Sequence, residues 1–274
     1  MKLSVREKYG PWAIVTGASD GIGREFARVI AEQGINLILI ARREGALRDL
    51  AAHLSTHSGV ETIILPCDLG DGDAVSNLLD RVGSRDVGLL VAAAGFGTSG
   101  LFINSDPQSE LAMVDLNCRS VVEIVRSVSP LLVKRGKGGI VLMSSLLAFQ
   151  GVPRSANYAA TKAFIQTFAE GLAVELRPLG IDIASCAPGP IASGFAARAN
   201  MRMSLYQGPE VVARETLKAL GRSVTVRPGW LSKLLELSLA PLPRRARVRI
   251  MGSIMSGMTK HQNAKTIDQR PQPA

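Results

Sequence analysis

A tyrosine and a lysine four residues apart, Tyr158 and Lys162, carry the clearest potential for chemistry in this 274-residue chain. On a helix, residues at this spacing lie on one face about one turn apart, so the phenol and the ammonium can share a pocket. A phenol ordinarily has a pKa of about 10, and a nearby cation lowers that pKa by stabilising the phenolate. The pair could therefore transfer a proton to or from an alcohol oxygen at neutral pH. The spacing alone is also typical of a half-buried tyrosine beside a solvated lysine, so other residues must supply a mechanism.

Two more polar residues stand at positions that suit this chemistry. Ser145 follows a short apolar run and precedes Tyr158 by thirteen residues. A hydroxyl at the carboxyl end of a strand points toward the edge at which parallel α/β sheets bind ligands. Asn117 interrupts an apolar helical pattern, where asparagine is disfavoured unless it has a hydrogen-bonding role.

A glycine-rich turn follows the first apolar run of the sequence. The turn consists of Gly17, Ala18, Ser19, Asp20, Gly21, Ile22 and Gly23. Glycines allow the backbone to approach a pyrophosphate closely, and a following helix directs its N–H groups and positive dipole end at the anion. No Gly-Lys-Ser/Thr sequence follows, which excludes a Walker A loop. Its place between a strand and an apolar helix favours dinucleotide binding over a simple tight joint.

The residue that follows the second apolar run is Arg42, nineteen residues after Gly23. Proteins that bind NAD commonly place an acidic residue there, where it holds the ribose 2′-hydroxyl. A guanidinium suits a 2′-phosphate instead, and Arg43 follows directly. The sequence therefore favours NADP(H) over NAD(H) as the cofactor, with two solvated arginines at a helix start as the alternative.

Strand-length apolar runs alternate with longer helical patterns from residue 12 to about residue 226. The seven runs span 12–16, 36–41, 61–66, 87–93, 139–143, 182–186 and 224–226. The helical patterns lie near 22–33, 45–57, 72–83, 109–134, 156–177 and 209–220. This alternation predicts an α/β fold with a doubly wound, Rossmann-type parallel sheet of seven strands.

The pattern changes after residue 228, so we expect one catalytic domain over residues 1–228 and a C-terminal helical extension over 229–261. The extension is apolar on one side and rich in arginine on the other, and Pro241 and Pro243 break it. It could cover its own domain, contact another subunit or, less favoured, make weak contact with a membrane surface. Residues 262–274 are polar with two prolines, and we expect a disordered tail there.

Together these segments resemble the short-chain dehydrogenase/reductase family over roughly residues 10–226. The matching segments are TGASDGIG from Thr16, CDL from Cys67, the helix containing Asn117, MSS before YAATK, and PGPIAS from Pro188. The resemblance implies an oxidoreductase that interconverts a small-molecule carbonyl and an alcohol with a nicotinamide cofactor. It also implies a homodimer or homotetramer that packs through the helices near 109–134 and 156–177.

The same resemblance implies roles for individual residues. Tyr158 would be the general acid and base, Lys162 would lower its pKa and hold the nicotinamide ribose, and Ser145 would polarise the substrate carbonyl. Asn117 would kink its helix and hold a water in the proton relay. The further cofactor contacts would be Asp68, Leu69, Ala94, Gly95, Pro188, Gly189, Ile191 and Ser193. One departure is Ala92-Ala93, where the family has two asparagines that tie down the central sheet.

Bulky apolar residues flank the predicted site, and those in the segment 190–208 would belong to a mobile lid over the substrate. They are Phe96, Leu147, Phe149, Val152, Phe195, Met201, Met203, Leu205 and Tyr206. They indicate an apolar or bulky substrate such as a steroid, acyl or aromatic ketone, although simple packing of the lid explains them equally well. A second class of function is a catalytically silent dinucleotide-sensing regulator, which we would expect to lack part of the Ser145, Tyr158 and Lys162 set.

The formal net charge of +9 attracts anions, and much of the excess lies after residue 220. Few aromatic residues accompany those arginines, so nucleic-acid binding is not expected. The three cysteines follow no metal or paired-disulfide spacing, which is typical of a cytoplasmic protein. His53 and His57 are four apart, but no third ligand type clusters with them, and no metal site is expected.

Overall fold

A computed structural model of the chain describes residues 4–262 apart from residue 204, and leaves aside the side chains at positions 76 and 79. Its strands are β1 (Trp12–Thr16), β2 (Asn36–Ala41), β3 (Thr62–Pro66), β4 (Val87–Ala92), β5 (Gly138–Met143), β6 (Ile181–Cys186) and β7 (Thr225–Val226). They form a seven-stranded sheet in the order β3-β2-β1-β4-β5-β6-β7, and every pairing is parallel. The predicted doubly wound parallel sheet is confirmed.

Helices cover both faces of this sheet. They are α1 (Val5–Tyr9), α2 (Gly21–Ala31), α3 (Glu44–Ser58), α4 (Ser76–Val82), α5 (Pro107–Val114), α6 (Ser120–Arg135), α7 (Ala156–Leu176), α8 (Phe195–Arg198), α9 (Pro209–Ala219), α10 (Trp230–Leu239) and α11 (Arg244–Met258). Short 3₁₀ turns occur at Phe102–Asn104, Leu146–Phe149, Arg177–Leu179 and Lys260–Gln262. No helix among the described residues is long and apolar enough to cross a membrane.

The hydrophobic core has two halves, one on each face of the sheet, so the central strands are buried on both faces. Along β2, Leu37 and Leu39 face the half that is covered by α2, α3 and α9. The alternate residues Ile38 and Ile40 face the half that is covered by α4, α6 and α7. Side chains alternate between the faces of a strand, so near-continuous apolar runs are what a doubly covered parallel sheet requires.

The single helix predicted over 109–134 is wrong in detail. The structure divides it into α5, a π-helical turn at Asp115–Arg119, and α6. The Ser120 N–H donates to the Asp115 carbonyl, one residue further back than in an α-helix. This wider turn contains Asn117, whose side chain bonds away from the helix, and such π-turns frequently mark functional sites.

The C-terminal extension forms α10 and α11, separated by residues 240–243 as the two prolines predict. Met251 and Met255 of α11 are buried against Val152 and Ala159, which lie beside and in the first turn of α7. The extension therefore packs on its own chain. Of the predicted disordered tail, residues 263–274 lie outside the described residues.

Candidate active site

A cavity of about 870 Å³ opens at the carboxyl ends of the central strands. The strand order reverses between β1 and β4, and such a switch point is the usual ligand site of a doubly wound sheet. The cavity is lined by every site residue that the sequence predicted except Asn117. The glycine turn, Ser145, Tyr158, Lys162 and the segment 188–193 therefore converge on one space.

The glycine turn packs so tightly that positions 17 and 23 have no room for a side chain. Gly17 has a φ of +67°, and a Cβ there would lie 2.8 Å from the Ala94 nitrogen. A Cβ on Gly23 would overlap the Gly17 carbonyl oxygen. Asp20 caps α2 by accepting a hydrogen bond of 2.7 Å from the Gly21 N–H. The first turn of α2 lines the cavity, and the N-terminus of a helix favours an anion.

Arg42 and Arg43 line the cavity together with the glycine turn. Arg42 Nη1 lies 3.4 Å from Asp68 Oδ2, and both side chains are about half exposed. Arg43 turns back on the glycine turn, where its Nη2 lies 3.2 Å from the Ser19 carbonyl and 3.6 Å from Asp20 Oδ2. Arg43 is thus as well placed as Arg42 to meet an anion held by the turn.

A third cation, Arg198, reaches the same region from α8 and was missed by the sequence analysis. Its guanidinium lies over the Phe96 ring at 4.4 Å from the centroid. Burial lowers the pKa of Arg198, and the positive charges of Arg42 and Arg43 lower it further. In the sequence Arg198 is an arginine in an irregular segment, and nothing there indicates that it lies near Arg42 and Arg43.

The loop that follows β4 is tied to the neighbouring strand at the point where this chain has Ala92-Ala93 in place of the family's two asparagines. The Ala94 N–H donates to the Thr16 hydroxyl at 3.0 Å, which ties the loop to the end of β1. Gly95 continues the loop, and a Cβ there would lie 2.9 Å from Asn117 Oδ1 and 3.6 Å from Lys162 Nζ. The backbone at Gly95 therefore runs directly past the proposed catalytic residues.

Tyr158, Lys162 and Ser145 are buried together in the cavity wall. Their exposed fractions are 8%, 6% and 8%. Lys162 Nζ lies 5.6 Å from the centroid of the Tyr158 ring and donates a hydrogen bond of 2.8 Å to the Met143 carbonyl. The Ser145 Oγ accepts a hydrogen bond of 3.2 Å from the Leu147 N–H. The spacing predicted a shared pocket, and the structure has one.

The expected lowering of the Tyr158 pKa is wrong for the chain by itself. Burial raises the pKa of Tyr158 to about 12, and the hydrogen bond with Ser145 only partly opposes this. Burial also lowers the pKa of Lys162 to about 8, so its positive charge is itself destabilised in this wall. Desolvation is the largest cause of both pKa shifts, and the Lys162 head group donates its hydrogen bond to the Met143 carbonyl.

Asn117 lies behind the cavity wall and connects the loop after β4 to α7. Its Oδ1 accepts from the Phe96 N–H at 3.1 Å, and its Nδ2 donates to the Phe96 carbonyl at 2.9 Å. Nδ2 also donates to Thr161 Oγ1 at 3.1 Å. The side chain therefore fixes the backbone on which Gly95 lies, and its implied role in holding a water stays a prediction.

The segment 188–193 is held in place from two directions. The Gly189 N–H donates to Ser232 Oγ of α10 at 2.8 Å, and Ser232 is fully buried. On the other side, a Cβ on Gly21 would lie 2.9 Å from the Ser193 Cβ. The segment therefore closes over the glycine turn while it is anchored to the C-terminal extension.

A family model described as short chain dehydrogenase matches residues 11–204. The chain belongs to the short-chain dehydrogenase family. It is 33% identical to a very-long-chain 3-oxoacyl-CoA reductase of Phaeosphaeria nodorum over 84% of this chain and 71% of that protein.

Other members of the short-chain dehydrogenase family are similar to the chain over most of its length. An inactive hydroxysteroid dehydrogenase-like protein 1 of Mus musculus is 32% identical, over 82% of this chain and 70% of that protein. A solved 7beta-hydroxysteroid dehydrogenase structure superposes with a TM-score of 0.82 and 25% identity, and covers 91% of this chain and 99% of that one. The family and the Rossmann-type fold are therefore both shown.

Residues of the predicted lid and of the C-terminal extension close the cavity of this short-chain dehydrogenase. From the lid segment, Phe195 packs on Tyr158 with ring centroids 5.2 Å apart. From the extension, the lining residues are Leu231, Leu235, Glu236, Leu239, Ala240, Arg247, Met251, Ile254, Met255 and Met258. The extension thus forms a wall of the cavity, a role that its amphipathic pattern alone could not distinguish from a subunit or membrane contact.

No group of three or more histidine, cysteine or acidic side chains that could hold a metal ion occurs among the described residues. His53 and His57 stack on α3 with ring centroids 4.0 Å apart, and neither lines the cavity.

Proposed function

We propose that the protein is an NADP(H)-dependent oxidoreductase that interconverts a carbonyl and an alcohol on an apolar, bulky substrate. The observation that carries this proposal is the burial of Tyr158, Ser145 and Lys162 in a cavity that the glycine turn also lines. Family membership supports the oxidoreductase class.

In the direction of reduction, the bound nicotinamide supplies the hydride that reaches the carbonyl carbon. Tyr158 donates its phenolic proton to the carbonyl oxygen, and the Ser145 hydroxyl stabilises the negative charge that develops there. A pKa of about 12 keeps the phenol protonated at neutral pH, as a proton donor requires. Lys162, beside Gly95, would hold the nicotinamide ribose and support the phenolate that remains.

The preference for NADP(H) is supported by the cations at the adenosine end of the cavity. The positive charges of Arg42 and Arg43 act on Arg198, and Asp68 and Asp20 pair with Arg42 and Arg43. A guanidinium favours a phosphate over a hydroxyl because it offers both charge and paired donors. A 2′-phosphate would satisfy this cluster, whereas a 2′-hydroxyl would leave it with excess positive charge.

The substrate class is supported by the composition of the remaining wall. Methionine and leucine side chains from the lid and the extension dominate it, and methionine adapts to irregular apolar shapes. The relatives named above act, by their names, on long acyl chains and on steroids. A bulky apolar ketone is the substrate that such a wall fits.

The test is NADPH oxidation across a panel of steroid, 3-oxoacyl and aromatic ketones, with Tyr158→Phe as the variant. We expect the variant to lose on the order of 10³-fold in kcat while NADPH binding is unchanged, because only the transferable proton is removed. Tyr206 is exposed and does not line the cavity, so Tyr206→Phe serves as the control and should keep wild-type turnover. Wild-type turnover by Tyr158→Phe on a confirmed substrate would contradict the assignment.

The silent-regulator alternative is kept because one similar protein is named as inactive. The presence of Ser145, Tyr158 and Lys162 in one buried cluster favours catalysis. NADPH binding without turnover of any panel ketone would favour the regulator.

A reductase of acyl ketones at a membrane surface is favoured by one feature, the exposed Trp230, Leu234 and Leu237 of α10. Replacement of all three by serine should abolish flotation with anionic vesicles if this surface binds lipid. Equal flotation of wild type and variant would argue against it, and the cytoplasmic location stays a prediction.

We also propose a homodimer or homotetramer that packs through α6 and α7. Apolar side chains on these helices are exposed in the single chain, among them Val122, Leu131, Phe164 and Val174. Phe164→Glu should reduce the mass measured by light scattering, and an unchanged mass would place the interface elsewhere.

A further inference from the structure

We infer that the substrate carries an anionic oxygen group away from its reacting carbonyl, and that Arg247, assisted by Arg227, binds this group. The inference rests on the proposed function, because it assigns a substrate feature to the same cavity. It concerns two arginines to which neither the nucleotide nor the proton transfer gives a role.

Both arginines line the cavity, and each has a buried Nε atom without a hydrogen-bond partner among the described residues. Arg227 follows β7 directly, and its Nη2 pairs with Glu236 Oε1 of α10 at 2.9 Å. Its guanidinium lies over the Phe149 ring at 4.5 Å from the centroid. Arg227 is therefore held in position, but it is not fully satisfied.

Arg247 has no ion pair with any residue that the structure describes, in contrast to Arg227, which pairs with Glu236. It stands one helical turn before Met251 and two turns before Met255 on α11, and all three line the cavity. Together Arg227, Glu236 and Arg247 leave this wall with one net positive charge. A single anionic group is the complement of that charge.

The cost of this arrangement points to a ligand. A buried donor without a partner destabilises the folded chain, and a charged donor does so more strongly. An apolar side chain at position 247 would pack against the same methionines without that penalty. A guanidinium that faces a largely apolar cavity is explained if an oxyanion of the substrate accepts its hydrogen bonds.

Two substrate chemistries present such an oxyanion. One is a rigid apolar ketone with a carboxylate, and the other is a 3-oxoacyl thioester whose carrier bears phosphates. The shared chemistry is an oxyanion on an apolar body, and matched charged and uncharged probes distinguish the sources. The probes are a keto steroid with a side-chain carboxylate and its methyl ester, and 3-oxodecanoyl-CoA and the corresponding N-acetylcysteamine thioester.

The experiment measures KM, and calorimetric affinity in the presence of NADP, for each probe with wild type and Arg247→Met. We expect the variant to raise KM at least 10-fold for the charged member of one pair, while KM for the uncharged member and kcat change less than about 3-fold. Arg247→Lys should restore part of the affinity because it keeps the charge. Arg249→Met, which removes an exposed charge from the same helix outside the cavity lining, should change neither.

Equal wild-type affinity for the charged and uncharged members, or binding of neither pair, would overturn the inference. An equal effect of Arg247→Met on both members would also overturn it, because the arginine would then act only through packing. Charge-selective binding that is lost in Arg247→Met without turnover of any probe would support the inference and contradict the proposed function.

Discussion

The cofactor half and the substrate half of the cavity are built in different ways. The cofactor half consists of backbone at the ends of β1, β2 and β4, where Gly17 and Gly23 permit contacts that no side chain would allow. The substrate half consists of side chains from the lid, α10 and α11, which reach the cavity only after the chain has completed its sheet. Glycines in the backbone determine the shape of the cofactor half, and side-chain packing determines the shape of the substrate half.

This difference determines how each half responds to substitution. Backbone contacts in the glycine turn leave no room for adjustment, so a single added group should abolish function there. Met251, Met255 and their neighbours form a flexible apolar wall, so substitutions should change selectivity and stability gradually. The two halves meet at Gly189, which contacts Ser232 of the extension.

The largest expected effect comes from Gly23→Val in the cofactor half. Its side chain would collide with the Gly17 carbonyl oxygen and displace the turn from the pyrophosphate position. We expect fluorescence titration to show NADPH affinity at least ~100-fold lower than wild type, with correct folding verified by circular dichroism. The control is Gly45→Ala on α3, where nothing lies within 4 Å of the added Cβ, and which should bind NADPH normally. Normal binding by Gly23→Val would show that the turn is only a structural joint.

A smaller effect is expected from Met255→Ala in the substrate half. Met255 is buried in the cluster with Met251 and Val152, and the substitution should lower the free energy of unfolding by about 2 kcal/mol. The loss should lie at the lower end of the usual range because the site already borders a cavity. Activity should shift toward bulkier ketones, as measured by kcat/KM ratios. Ile250→Ala, on the same helix but partly exposed, should leave those kcat/KM ratios unchanged. A shift of the ratios in Ile250→Ala would contradict the assignment of selectivity to the buried wall.

The next effect in size is a change in the preference for NADPH over NADH in an Arg42→Ala, Arg43→Ala double variant. Loss of two guanidiniums near the 2′-phosphate position should weaken NADPH binding by about 10–30-fold and leave NADH binding nearly unchanged. Arg48→Ala, an exposed arginine paired with Glu44 on α3, is the matched control. Equal weakening of both cofactors would mean that the pair serves the pyrophosphate instead.

The smallest expected effect is a gain in stability from Lys162→Met. The folded pKa of Lys162 is about 8 and its ordinary value is 10.5, so the unfolded chain binds the proton more tightly. The resulting penalty is complete below pH 8 and disappears as the pH rises above 10.5. We expect the variant to be more stable by about 1–2 kcal/mol at pH 7, after loss of the bond to Met143, and less so at pH 10. A pH-independent difference in Tm would show that the lysine charge is not destabilised.

The sequence could predict the cofactor half because its signals are local. The glycine turn, Arg42 and the Tyr158–Lys162 spacing each lie within a few consecutive residues, and periodicity fixed the sheet around them. The substrate half depends on contacts between distant segments. Arg198 and Arg247 are ordinary arginines in the sequence, and only packing of α8 and α11 brings them to the cavity.

The pKa of Tyr158 shows a different limit of sequence analysis. The four-residue spacing correctly placed Lys162 beside Tyr158, but spacing carries no information on burial. Because both side chains are almost completely buried, desolvation determines their pKa values in the chain by itself.

The central claim is that this cavity transfers hydride to a carbonyl carbon while Tyr158 supplies the proton. The most direct measurement is mass spectrometry of the alcohol formed from a panel ketone and NADPH dideuterated at the nicotinamide C4. The account predicts one deuterium on the carbinol carbon with wild type and Tyr206→Phe, and almost none with Tyr158→Phe. NADPH binding with no deuterium transfer to any ketone, or undiminished transfer by Tyr158→Phe, would contradict it.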